Sequence, residues 1–144
     1  MIRVVRSSVI NAPAEQVWAK IRDFNGMPGW HPGITESVIE GGAAADKVGC
    51  VRSIKLAIGA TIRERLVALD DRERCYTYVI VEIPLPIQNY VATIKATPIT
   101  DGNRTYIDWV AEFDCPPGQE AEFAALVGDS TYQAGIDALK QLFG

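Results

Sequence analysis

Little in this sequence speaks for metal, nucleic acid or membrane. It has one histidine and three cysteines, Cys50, Cys75 and Cys115, far apart and odd in number. That set makes neither a zinc motif nor a disulfide framework, and unpaired thiols fit a reducing cytoplasm. No basic patch with interleaved aromatics occurs, so nucleic acid is not expected as a partner. No apolar run approaches a membrane span, and Arg3 and Arg6 break the only apolar stretch near the start, so no signal peptide is read there. A Ser-His-Asp order, a glycine-rich phosphate loop and a metal cluster are all missing, and no cofactor is implied.

The 144 residues are 48% hydrophobic, enough for one domain with a sizeable core, and the net charge of −4 comes from interspersed residues. Arg3–Ile10 reads as a strand. Asn11 as N-cap, Pro13 in the first turn and Val17, Trp18 and Ile21 at helical spacing predict a short helix over 13–24. Asn25-Gly26-Met27-Pro28-Gly29 ends it. Six further strands follow: Ile34–Glu40, Cys50–Ala57, Thr61–Leu69, Arg74–Glu82, Asn89–Ile99 and Arg104–Phe113. Turn residues separate them, and Asp101-Gly102-Asn103 marks a tight hairpin. Tyr132, Ile136, Leu139 and Phe143 then line one face of a long helix over about 118–143. The class is α+β: an antiparallel sheet of about seven strands, one or two short helices after the first strand, and a closing helix packed on one sheet face.

Period-two alternation assigns the faces. Tyr90, Ala92, Ile94 and Ala96 point inward, as do Ile107, Trp109, Ala111 and Phe113. So do Tyr76, Tyr78 and Ile80; Ile62, Glu64, Leu66 and Ala68; and Ile54 and Leu56. Alanines at inward strand sites, with Gly128 and Gly135 in the closing helix, suggest unfilled space. Small residues interdigitating with Trp109 or Tyr78 account for the same pattern. The expected pocket wall takes Ile54, Leu56, Glu64, Leu66, Tyr76, Tyr78, Ile80, Tyr90, Ala92, Ile94, Trp109, Ala111, Val127 and Tyr132, with Trp30 and His31 at the mouth.

His31, Glu64 and Tyr90 are the candidate acid–base groups. His31 either anchors an acidic ligand or shuttles a proton, or is an exposed loop residue beside Pro32. Glu64, inward among apolar neighbours, either meets a ligand hydroxyl, or acts as a base, or pairs with an arginine such as Arg52. The tyrosine hydroxyls either face a ligand or are satisfied within an aromatic core.

The order of short motifs resembles the SRPBCC superfamily. Val9-Ile10-Asn11-Ala12-Pro13 precedes a helix holding Val17-Trp18, followed by Trp30-His31-Pro32 and Gly49-Cys50-Val51-Arg52. Glu64-Arg65-Leu66, Asp70-Asp71, Asn89-Tyr90 and the final Tyr132, Gly135-Ile136 and Leu139-Lys140 extend the likeness over nearly the whole chain. The resemblance implies a helix-grip fold like that of START domains and the birch pollen allergen, in a polyketide cyclase/dehydrase-like branch similar to the plant abscisic-acid receptors. It places His31 near a carboxylate-binding lysine of those receptors, Glu64 at a glutamate of their pocket water network, Tyr90 at a pocket tyrosine and Trp109 where they carry a glutamate. The receptors' gate is shortened to about Ala57-Ile58-Gly59-Ala60 and their latch becomes Leu85-Pro86-Ile87, so hormone-gated phosphatase inhibition is not carried over.

Three functions follow as expectations. The first is binding or transport of a small hydrophobic ligand (a lipid, polyketide or aromatic acid) in an internal cavity. The second is a cyclase or dehydratase using His31, Glu64 and a tyrosine. The third is a protein-binding accessory factor. A homodimer is compatible with all three.

Overall fold

The computed structural model describes residues 1–144. Seven strands, β1 (Ile2–Ile10), β2 (Ile34–Ile39), β3 (Val51–Leu56), β4 (Thr61–Asp70), β5 (Cys75–Glu82), β6 (Gln88–Ile99) and β7 (Arg104–Asp114), form one antiparallel sheet in the order β1-β7-β6-β5-β4-β3-β2. Six of these contacts join sequence neighbours or return the first strand beside the last, which is why short turns suffice between β2 and β7. Helix α1 (Ala14–Ile21) follows β1, and a continuous C-terminal helix over residues 120–142 crosses the concave face. No helix is long and apolar enough to cross a membrane.

Helix α1 is shorter than the sequence pattern suggests, and its N-cap is Pro13 rather than Asn11. Its end has a local cause. Asp23 accepts the Asn25 N–H at 3.0 Å, a side-chain turn that competes with continued helix. The buried stripe Ala14, Val17, Trp18 and Ile21 lies on the sheet. Trp18 Nε1 donates to Asp71 at 2.8 Å and Arg22 grips the same carboxylate at 2.7 and 2.9 Å, tying α1 to the β4–β5 turn.

The face assignment holds for β6 and β7, whose inward residues Tyr90, Ala92, Ile94, Ala96, Ile107, Trp109, Ala111 and Phe113 are all buried. In β4 it holds only to Leu66. The β4–β5 register shifts between Leu66 and Ala68, so two residues of β4 oppose one step of β5. A bulge reverses the alternation beyond it. Ala68 is consequently exposed, and Leu69 packs against the core in its place.

In the C-terminal helix Tyr132, Ile136 and Leu139 are fully buried. Each contributes about 1.5–3 kcal/mol by leaving water. Between two α-helical ends, Leu126–Gln133 is wound as π-helix. Thr131 Oγ1 donates to the Leu126 carbonyl at 3.2 Å, five residues back. The wide turn falls where the helix passes the end of the sheet that carries the cavity.

Candidate functional site

Gly128 and Gly135 do not leave the room that their size suggests. A Cβ on Gly128 would lie 2.6 Å from Arg6 Nη2, and one on Gly135 would lie 2.7 Å from His31 Cδ2 and 3.1 Å from the Trp109 and Trp30 rings. Glycine is used at both points so that the helix can approach its neighbours closely. The alanines are occupied in the same way. Ala92 pairs with Ala111 across β6–β7, and Trp109 lies flat on Tyr132, with ring centroids 4.3 Å apart and planes 10° apart. Ala92, Ile94, Ala111 and Tyr132 are all buried here.

The open space lies toward β3, β4 and β5. A cavity of about 340 Å³ is enclosed between these strands, the π turn and the β3–β4 and β5–β6 connections. Of the expected wall, Ile54, Leu56, Glu64, Tyr78, Ile80, Tyr90, Trp109 and Val127 line it. Leu66, Tyr76, Ala92, Ile94, Ala111 and Tyr132 are buried but sit outside it. Tyr76 lies against Trp18 and Phe24, with centroids 6.4 and 5.7 Å away.

Neither residue placed at the mouth lies there. Trp30 is buried against Trp109, with centroids 6.0 Å apart, and does not line the cavity. His31 is buried beneath the closing helix. Its Nδ1 accepts the Gly33 N–H at 3.0 Å and its Nε2 lies 2.7 Å from the Thr131 carbonyl, which requires the neutral tautomer with the proton on Nε2. Burial, assisted by the charge of Arg52, holds its pKa below the ordinary histidine value, although the Thr131 carbonyl opposes the shift. With both ring nitrogens engaged, His31 locks loop to helix, and the proton-shuttle geometry expected of it is absent.

The mouth is made instead by residues outside the expected wall. Ile58 and Ala60 come from the β3–β4 connection, and Ile83, Pro84, Leu85 and Ile87 from the β5–β6 connection. Met27, Ile34, Ile62, Leu126 and Thr131 complete the wall. Ile58 is 84% exposed. The signal was present in the chain: four large aliphatic residues stand in two connections, where turn chemistry calls for polar ones.

Glu64 is the one charged residue on the wall, and it is 5% exposed. Arg52 binds it from behind. Its Nε donates to Glu64 Oε1 at 2.9 Å, and Nη2 is 2.8 Å from the same oxygen. Nη1 donates to the Phe24 carbonyl at 2.8 Å. The guanidinium carbon lies 3.9 Å from the Phe24 ring centroid and 4.9 Å from that of Tyr78, a double cation–π contact. Both readings of Glu64 thus coexist: the residue pairs with Arg52 through Oε1, while no protein group donates to Oε2. Burial pushes the Glu64 carboxyl up from its ordinary value, and Arg52 pulls against that shift. Burial is the largest single influence on Arg52 and works against its charge, but Glu64, Tyr76 and Tyr78 together more than offset it, and Arg52 stays protonated.

The remaining polar groups on the wall satisfy one another. Trp109 Nε1 donates to the Tyr78 hydroxyl at 3.1 Å, and Tyr90 shares a hydrogen bond with Tyr132. Asn89, in the left-handed region at φ 55° and donating to Asp114 at 2.8 Å, fixes the start of β6 so that Tyr90 turns inward. Burial drives the Tyr78, Tyr90 and Tyr132 hydroxyls well above the ordinary tyrosine value, so they remain protonated.

Comparisons with known proteins agree with this architecture. The family model described as polyketide cyclase / dehydrase and lipid transport matches residues 1–144. The solved structure of the protein XoxI from Bacillus cereus is 35% identical, over 99% of this chain and 96% of that one, at a TM-score of 0.88. A protein from Thermobifida fusca solved by NMR is 31% identical, over 100% and 94% of the two chains, at a TM-score of 0.89. Norcoclaurine synthase from Thalictrum flavum, in complex with dopamine and hydroxybenzaldehyde, shares the fold at 18% identity, with 98% and 85% coverage and a TM-score of 0.75.

Proposed function

The chain belongs to the polyketide cyclase / dehydrase and lipid transport family, and from that premise we propose that it takes up one small hydrophobic molecule and carries it unchanged. One observation carries the reading: a cavity of about 340 Å³ with an almost wholly apolar wall and a single charged side chain. Sites for small molecules are apolar recesses with a few placed polar groups. At roughly 30 Å³ per water-sized group in the liquid, the space holds about eleven such groups. A lipid fragment, a short polyketide or a one-ring aromatic with a side chain is of that size.

Carriage is favoured over catalysis by the same geometry. Cyclisation or dehydration of a poly-ketone needs a base and an acid within reach of one bound molecule. His31 has both nitrogens engaged by backbone groups, and the Tyr78 and Tyr90 hydroxyls are bonded to Trp109 and Tyr132. Glu64 stands alone. Its raised pKa supports a second reading, a one-base enzyme acting on a bound carbonyl compound. The three unpaired cysteines support a reducing, cytoplasmic setting.

The test is titration with N-phenyl-1-naphthylamine, a neutral apolar dye, followed by its fluorescence. Saturable one-to-one binding is expected. Ile80→Trp, which projects an indole from the wall into the space, is expected to weaken it at least tenfold while the variant stays folded. Absence of saturable binding, or equal binding by the variant, refutes the carrier reading. Chemical change in a ligand recovered from the wild type but not from Glu64→Gln establishes the enzyme instead.

A further inference from the structure

A charged side chain whose second oxygen meets no protein donor is unusual on an apolar wall, because such an oxygen needs a hydrogen-bond partner when water is displaced. Glu64 presents that oxygen to the cavity: Oε1 is held by Arg52, and Oε2 has no donor from the protein. The cation does not reach the cavity to balance it. Arg52 is fully buried behind Glu64, with its Nε and Nη2 turned to Oε1, its Nη1 to the Phe24 carbonyl and its faces covered by two rings. No lysine, arginine or histidine lines the wall. The Thr131 hydroxyl and Trp109 Nε1 already donate within the protein. Any occupant that displaces water from the Glu64 end must therefore bring a hydrogen. One that brings a second carboxylate sets like charge against like charge with no free cation between them.

Resting on the carrier reading above, we infer that the cavity selects a neutral molecule with a hydrogen-bond-donating head, an alcohol or phenol of about a dozen non-hydrogen atoms, and discriminates against carboxylic acids. The donor hydrogen goes to Glu64 Oε2, and the apolar body lies along Ile54, Ile62 and Ile80 toward Ile58 and Leu85 at the mouth. A site built around a buried polar group rejects analogues that leave that group unpaired more strongly than an apolar site rejects a change of size.

Two isomers separate the hydrogen bond from everything else. 1-Decanol and methyl nonyl ether have the same atoms and nearly the same length, but only the alcohol donates. In displacement of N-phenyl-1-naphthylamine at pH 8, 1-decanol is expected to bind at least tenfold tighter than the ether and tighter than decanoate. In the double variant Arg52→Met, Glu64→Leu, which replaces the ion pair by apolar groups, the preference for the alcohol over the ether is expected to vanish. Equal binding of the two isomers by the wild type overturns the inference, as does decanoate binding as tightly as decanol, or a preference that survives in the double variant. If the dye binds while the isomers do not differ, the selectivity is wrong and the carrier reading stands. If neither dye nor isomers bind, the carrier reading itself falls.

Discussion

Replacing Arg52 and Glu64 singly and together tests the central feature of the interior. Glu64→Leu leaves a guanidinium with no surface exposure and no carboxylate, against the Phe24 carbonyl and two ring faces. Breaking a buried pair from one side costs about 3–5 kcal/mol, a large part of the 5–15 kcal/mol that stabilises a typical domain. Arg52→Met leaves a carboxyl instead, which can escape its charge by taking a proton, so the expected loss near neutral pH is about 1–3 kcal/mol. The double variant removes both charges and leaves only the Phe24 carbonyl without its donor, so it should fall within about 2 kcal/mol of the wild type. The singles should therefore be non-additive by about 2 kcal/mol or more. Urea denaturation of the four proteins at pH 7.5 measures this, provided that the denaturant slope is the same in each. The pH dependence gives a second check. A carboxyl whose folded pKa lies above its unfolded one is most favourable to folding below the unfolded value, near 4.5, and the contribution is lost as pH rises through the folded pKa. Arg52→Met should thus recover toward the wild type between pH 7.5 and pH 5. Additive singles, or an Arg52→Met deficit that does not shrink in acid, would refute the picture of a coupled pair in a dry interior.

Other outcomes follow from particular contacts. Gly135→Ala gains about 1 kcal/mol of helix propensity but drives a methyl against His31, Trp109 and Trp30, so a net loss of about 1–2 kcal/mol is expected by thermal denaturation. His31 is held neutral with its pKa below the ordinary value, so its contribution is full above about pH 6.5 and declines as pH falls through the folded pKa. The wild type should lose thermal stability from pH 7.5 to pH 5 with a component that is absent in His31→Gln. Ile58→Asp, at an 84% exposed position on the mouth, should change stability by less than about 0.5 kcal/mol yet slow dye uptake in stopped-flow mixing.

Much of the architecture was legible in the chain, because strand alternation and turn residues are local signals. Seven strands, two helices and the inward sets of β6 and β7 follow from period two and from breakers alone. Burial of Trp109, Tyr78 and Tyr90 follows from the same rule, and the order of motifs from Val9 to Lys140 was enough to name the superfamily. A subtler mark was also present. Buried Phe123, Val127, Tyr132, Ile136 and Leu139 are spaced four, five, four and three apart, and the step of five falls at the π turn.

What tertiary packing decided is the location of the empty space. Alanine and glycine look alike whether a neighbour fills the gap or nothing does. Only the approach of Arg6, His31 and the tryptophans shows that Gly128 and Gly135 are contact points rather than room. The bulge after Leu66 reversed a face that alternation alone would have continued, exposing Ala68. His31 was displaced from the mouth to the underside of the helix because its partners are backbone groups of Gly33 and Thr131, one of them a hundred residues away. Periodicity along a strand reports which side of the sheet a residue faces; whether that side meets a wall or a void depends on elements distant in the chain.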